Sequence, residues 1–148
     1  MPSFSRSSSS RLATCHPDLQ ELFNEVIKHR DCTVICGSRT LEEQKENVRR
    51  GVSKTLNSKH VVGEGIRDVS HAVDVMPYFN WRKPTIDWQD RESISHFAGF
   101  VLGVAAILKE DGTIDHEITW GGDWDGDGVS AGWYDGPHFE LVLDDGLV

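Results

Sequence analysis

The sequence predicts an α+β fold, a single domain in which a small antiparallel sheet packs on helices. Three observations lead there. Two stretches repeat apolar residues at helical spacing: Leu19, Leu22, Phe23, Val26 and Ile27, then Ile94, Phe97, Ala98, Val101, Ala105 and Leu108. Between and after them lie short apolar or alternating runs bounded by Gly and Pro, which read as strands. The chain has 148 residues, enough for one core and too few for two ordinary domains.

Taken in order, residues 1–10 are Ser-rich and read as a flexible lead-in, leaving 11–148 as the domain. Pro17-Asp18 opens the first helix, since Pro at a helix start loses no backbone bond. Thr33 to Cys36 is a strand candidate stopped by Gly37. Thr40 with Glu43 three residues later forms a capping-box pattern for a second helix, which ends at Gly51. Residues 52–71 read as loop and Ala72–Met76 as a strand halted by Pro77. Glu92–Glu110 is the strongest helix, ended by Gly112. Ile118–Trp120 and His138–Leu143 complete the strands, with a Gly/Asp-rich run at 121–128 between them.

Composition excludes some classes of function. A net charge of -9 argues against a general nucleic-acid binder, which needs a basic face. The longest apolar stretch, Phe97–Leu108, is interrupted by Gly99 and Gly103 and reads as a buried helix, so no membrane insertion is expected. The start of the chain lacks the apolar core of a secretory signal, which points to accumulation in the cytoplasm that makes it. The three cysteines cannot all pair and include no CxxC. A zinc site from Cys15, His16, Cys32 and Cys36 is therefore set aside in favour of buried, inert thiols.

The chemistry concentrates in a few short segments. If residues 72–75 are extended, Val73 and Val75 face the core while Asp74 faces a cleft. In the last strand Phe139, Leu141 and Leu143 take the core side, and His138 and Glu140 the other. Adjacent strands could thus bring Asp74 and His138 to one point. A third donor comes from His60 or His71. Strand alternation turns His71 away from Asp74, whereas His60 sits on a Gly-containing loop that can return, so His60 is preferred. Two imidazoles and a carboxylate with an open position are the ligand set of a hydrolytic zinc ion. Asp135, held three residues before His138 by Gly136-Pro137, is the candidate general base; otherwise it is a turn Asp bonding its own backbone. Glu140 is a rival base or a partner of a ligand imidazole. Arg39, between a strand end and a helix start, could hold substrate or oxyanion charge, or form a surface ion pair. Asp123, Asp125 and Asp127 have the alternate spacing of the first half of a calcium loop, with Gly128 sixth; Tyr134 stands where such a loop would carry its bidentate Glu.

Five motifs in this order, Ser38-Arg39-Thr40 with Glu43-Gln44, Ser58-Lys59-His60, Ala72-Val73-Asp74-Val75 with Pro77-Tyr78, Trp120-Gly121-Gly122-Asp123 and Asp135-Gly136-Pro137-His138-Phe139-Glu140-Leu141, resemble the M15 zinc peptidases. Within them the chain is most similar to the phage L-alanyl-D-glutamate endopeptidases, a class of endolysin. The resemblance implies a Hedgehog/D-Ala-D-Ala peptidase-like fold, with Zn2+ held by His60, Asp74 and His138. It implies Asp135 as base, Arg39 as a holder of substrate or charge, and Ser58 near the substrate. It further implies peptidoglycan as partner, a monomer, and release to the wall through a holin. Calcium at 123–127 would be regulatory. The first His and the Asp stand further apart than is usual in that family, with Val61–Ser70 as an enlarged loop. Two other readings share these residues: a D-alanyl-D-alanine carboxypeptidase or dipeptidase, and a non-catalytic metal-binding module.

Overall fold

The fold is a four-stranded antiparallel sheet with four helices, seen in a computed structural model that describes residues 1–130 and 132–143. In chain order the elements are α1 (Arg6–Leu12), α2 (Pro17–Val26), β1 (Cys32–Cys36), α3 (Leu41–Arg49), β2 (Ala72–Pro77), α4 (Arg91–Glu110), β3 (Ile118–Trp120) and β4 (His138–Leu141). The sheet order is β1-β2-β4-β3, so the last strand inserts between two earlier ones. This is the expected α+β class with its small antiparallel sheet.

One helix was not expected. Residues 6–12 form α1, where a flexible lead-in had been read. Ser5 caps it by accepting the Ser8 amide, and Leu12 is buried. Ser8 is also buried: its hydroxyl accepts the Val34 N–H at 3.0 Å and lies 3.1 Å from Thr33 Oγ1. Serine is only a neutral helix former, so a tertiary contact with β1, and not propensity, fixes this segment.

The remaining helices follow their caps. His16 Nδ1 accepts the Asp18 amide at 3.0 Å, with Pro17 in the first turn of α2. The Thr40–Glu43 capping box of α3 is present in both directions. Asp90 caps α4 through the Ser93 amide. By length and composition α4 is apolar enough to cross a membrane, a test that the core helix of a folded domain also passes. Its buried residues, Ile94, Phe97, Ala98, Val101 and Ala105, belong to the core of this domain.

The core is built from the inward faces of α2, α4 and the sheet. Phe139 on β4 meets Phe23 of α2 edge-on at 5.4 Å and Phe97 of α4 at 6.4 Å. Val73, Val75, Phe139 and Leu141 are all buried, as strand parity requires. The opposite face of β2 and β4 carries Asp74, His138 and Glu140. Because Asp74 pairs directly with His138 across the ladder, sheet register alone sets these two side chains together.

The Phe23–Phe139 contact joins helix to sheet under the site. Phe23→Ala should cost about 3–5 kcal/mol. Urea denaturation followed by circular dichroism checks this; a loss below about 1 kcal/mol would show that the contact is dispensable.

Candidate active site

Three donor atoms converge at the mouth of the β2–β4 pair. His60 Nε2 lies 3.1 Å from Asp74 Oδ1 and 3.3 Å from His138 Nδ1, and His138 Nδ1 lies 3.3 Å from Asp74 Oδ1. Donors about 2.0–2.2 Å from a tetrahedral zinc stand roughly 3.3 Å from one another, so this donor set fits such an ion.

Both imidazoles are held from behind. His60 Nδ1 is 2.7 Å from the Gly37 carbonyl, which directs Nε2 inward. His138 Nε2 is 2.8 Å from Glu140 Oε1, which directs Nδ1 inward. Glu140 is itself fixed by Lys59 Nζ at 2.7 Å, and the same ammonium donates to the Leu141 carbonyl. Glu140 is thus a partner of His138, the second of its two expected roles. Lys59 is thereby occupied by Glu140 and the Leu141 carbonyl.

The long loop returns His60 to the cluster by local bonds. Arg39 N–H donates to His60 O at 2.8 Å, and Val62 N–H to Arg39 O at 2.9 Å. Ser58 Oγ accepts the His60 amide at 3.2 Å. Arg67 reaches back from the enlarged segment to the Ser58 and Val61 carbonyls. His71, the rival, lies on another side of the fold, with its ring 5.7 Å from His16 and its Nδ1 buried without a partner.

Asp135 stands beside the donors, its Oδ2 3.8 Å from His138 Nδ1. It is positioned by a tight crossing: Asp135 N–H donates to Gly121 O, and Gly121 N–H to His138 O. A Cβ on Gly121 would sit 2.3 Å from the Asp135 carbonyl oxygen, so only glycine allows this approach. Arg39 Nη2 is 3.9 Å from Asp74 Oδ2, while its Nη1 donates to buried Gln44 at 2.7 Å. The guanidinium is therefore a fixed part of the cleft wall and not a surface ion pair.

The electrostatics follow from this crowding. Burial alone would lower the His60 pKa, but the Asp74 charge and hydrogen bond raise it to about 10 in the metal-free protein. His138 rises to about 9, where bonds to Asp74 and Glu140 outweigh burial. Asp74 is driven below the usual carboxylate range by the two imidazoles, despite its burial. Asp135 moves the other way: burial and the nearby Asp74 charge raise its pKa, which suits a proton acceptor.

Two groups lay outside the sequence reading. Cys36, which the sequence predicts as a buried, inert thiol, is only half-buried; it pairs across the ladder with Asp74, and its sulfur lies within 4.8 Å of donor atoms of His60 and Asp74. Arg39 Nη2 donates to it at 3.4 Å. The other group is aromatic: Trp88, Trp124 and Trp133 line the same cleft of about 460 Å³ as the donors, Arg39, Ser58 and Asp135. Asp123, Asp125 and Asp127 gather their carboxylates within 4.8 Å of one another.

A buried imidazole–carboxylate cluster with an acid beside it, on the floor of a cleft in a small α+β domain, is the arrangement metal-dependent hydrolases use. The comparisons give the family. The sequence profile described as phage L-alanyl-D-glutamate peptidase matches residues 2–142, and the chain belongs to that family. Its activity is thus that of a peptidoglycan endopeptidase. Among solved structures, the Serratia marcescens L-Ala D-Glu endopeptidase ChiX is similar, at 28% identity and a TM-score of 0.68, covering 94% of this chain and 89% of that one. A search of curated proteins found no match.

Gly121→Ala tests the crossing that places Asp135. Hydrolysis of purified sacculi should fall about a hundredfold, the cost of a displacement of order 1 Å at a reacting group, with the circular dichroism spectrum retained. Full activity would show that Asp135 is positioned by something else.

Proposed function

We propose that this chain is a zinc-dependent endolysin of the M15 type, cleaving the L-alanyl-D-glutamate bond of the stem peptide with His60, Asp74 and His138 as metal ligands. The observation that carries this is the 3.1–3.3 Å spacing of the three donor atoms, with the Asp135 carboxylate at 3.8 Å. Zinc bound there would supply Lewis acidity to a water and to the scissile carbonyl. Asp135 then takes the proton of the attacking water and passes it to the departing amine of D-Glu. Arg39, held by Gln44, offers Nη–H donors to the oxygen that gains charge. Ser58 Oγ lines the cleft beside the substrate while accepting the His60 amide. In this reading the enzyme acts as a monomer. In a phage setting, the enzyme would be made in the host cytoplasm and reach the wall through a holin, for host lysis.

A calcium ion held by Asp123, Asp125 and Asp127 would be regulatory in this reading. Support comes from Asp123 Oδ1, which is buried without a partner, and from Gly126 and Gly128, whose positive φ values of 70° and 87° wrap the loop around the three acids. The loop leads through Trp133 to Asp135. Calcium titration of the chelated, zinc-restored enzyme should raise activity; a flat response removes this role.

Metal analysis separates the ligands from the base. His60→Ala should lose the metal, whereas His71→Ala keeps it; the reverse would move the ligand to His71. Asp135→Asn should keep the metal and lose about 10²–10⁴-fold in turnover. Mass spectrometry of fragments from sacculi should show new D-Glu amino termini. Release of D-Ala alone would shift the bond to that of a carboxypeptidase.

Metal uptake should also depend on pH. In the metal-free protein both His60 and His138 hold their protons at neutral pH, because their pKa values lie at about 10 and about 9. Binding must expel these protons, so affinity should rise steadily between about pH 6 and 9, with up to about two protons released per ion. Calorimetry in buffers of different ionisation enthalpy measures the release; a pH-independent affinity would mean that these imidazoles are not the ligands.

A further inference from the structure

Three tryptophans share the cleft with the reacting groups and remain open to solvent: Trp88 is 50%, Trp124 39% and Trp133 45% exposed. Scattered exposed apolar residues are ordinary, but three large aromatic side chains on one concavity mark a binding surface. Contacts tie two of them, Trp124 and Trp133, to the cleft. Lys54 Nζ lies 4.3 Å from the centre of the Trp133 ring, Trp124 Nε1 donates to the Trp133 carbonyl, and the Trp124 ring lies 5.4 Å from the His138 ring. Trp124 in particular is tied both to Trp133 and to the donor cluster, so the aromatic faces border the reacting groups directly.

The substrate supplies a matching surface close to the scissile bond. In peptidoglycan the amine of L-Ala is joined to the lactyl group of muramic acid. The L-Ala–D-Glu bond therefore lies one residue, about 3.5 Å of extended chain, plus the lactyl group from a pyranose ring. The C–H face of a pyranose carries slight positive charge and is apolar, and a tryptophan face is negative and apolar. The stem peptide, by contrast, is rich in carboxylates, which aromatic faces do not attract.

We propose that Trp88, Trp124 and Trp133 form a sugar-stacking wall that recognises the muramyl residue bearing the stem peptide, so that the enzyme reads glycan and peptide together. This rests on the reading of the site as an L-alanyl-D-glutamate endopeptidase. The wall makes peptide still attached to sugar the preferred substrate and leaves peptide already freed from the glycan a poor one.

The test uses the metal-loaded enzyme and two soluble substrates with the same tripeptide, one carrying N-acetylmuramic acid and one with a free L-Ala amine. The muramyl substrate should be favoured at least about tenfold in kcat/KM, the equivalent of one good aromatic contact. Trp88→Ala and Trp133→Ala should each collapse that ratio several-fold, mainly through KM, and Trp133→Phe should restore much of it. Equal kcat/KM for the two substrates in the unmodified enzyme overturns the sugar wall and leaves the endopeptidase reading intact. A preference that persists in both alanine variants, or an equal loss on both substrates, also overturns it, the latter by assigning the wall to peptide. If the unmodified, metal-loaded enzyme cleaves neither substrate at the L-Ala–D-Glu bond, the endopeptidase reading itself fails. Equal kcat/KM in the unmodified enzyme overturns the wall even where an alanine variant does not fold, and Trp133→Phe against Trp133→Ala separates an aromatic contact from a folding defect.

Discussion

One carboxylate organises this molecule. Asp74 sits between two imidazoles, and without a cation its negative charge would be costly to hold in so enclosed a place. The two imidazoles bonded to it offset that cost and hold its pKa below the usual carboxylate range despite its burial. The sheet register puts His138 opposite Asp74, the return of the 58–62 loop brings His60, and Gly37, Glu140 and Lys59 hold the rings from outside. Much of the local structure around the cleft can be read as support for that one charge.

Support at this depth is layered. The Arg39 side chain leans on Gln44, and Gln44 in turn on Ser53 and the Thr55 carbonyl. The capping box that starts α3 thus serves a second purpose, since it sets the helix that carries Gln44 under the guanidinium. Ser70 works similarly on the other side, its hydroxyl donating to the Ala72 carbonyl where the enlarged loop joins β2. A polar network of this kind is useful only when nearly every member is satisfied.

The sequence revealed those parts of the fold and site that depend on period and local chemistry. Alternation alone put Asp74 and His138 on one face and Val73 and Phe139 on the other, because a strand has no other option. It also favoured His60 over His71, and the structure groups His60 with Asp74 and His138. The parts it did not reveal depend on distant contacts. Helix α1 forms because Ser8 meets Thr33 and Val34, which nothing in a serine run announces. Cys36 looked like the end of a buried strand, yet a register shift after Val34 sets it opposite Asp74. Glu140 had two roles open until Lys59, from a remote loop, was found bonded to it. The tryptophans at 88, 124 and 133 are far apart in sequence and have no shared spacing, so only the folded cleft gathers them.

The strand order has an effect in time as well as in space. β4 is the last strand made and lies between β2 and β3, and it carries His138 with Asp135 just ahead of it. A nascent chain that has not reached residue 138 possesses His60 and Asp74 but lacks both the second imidazole of the cluster and the strand that joins β2 to β3. The cleft therefore comes into being only after β4 has been made. A chain interrupted before that point holds a half-built sheet and no cleft.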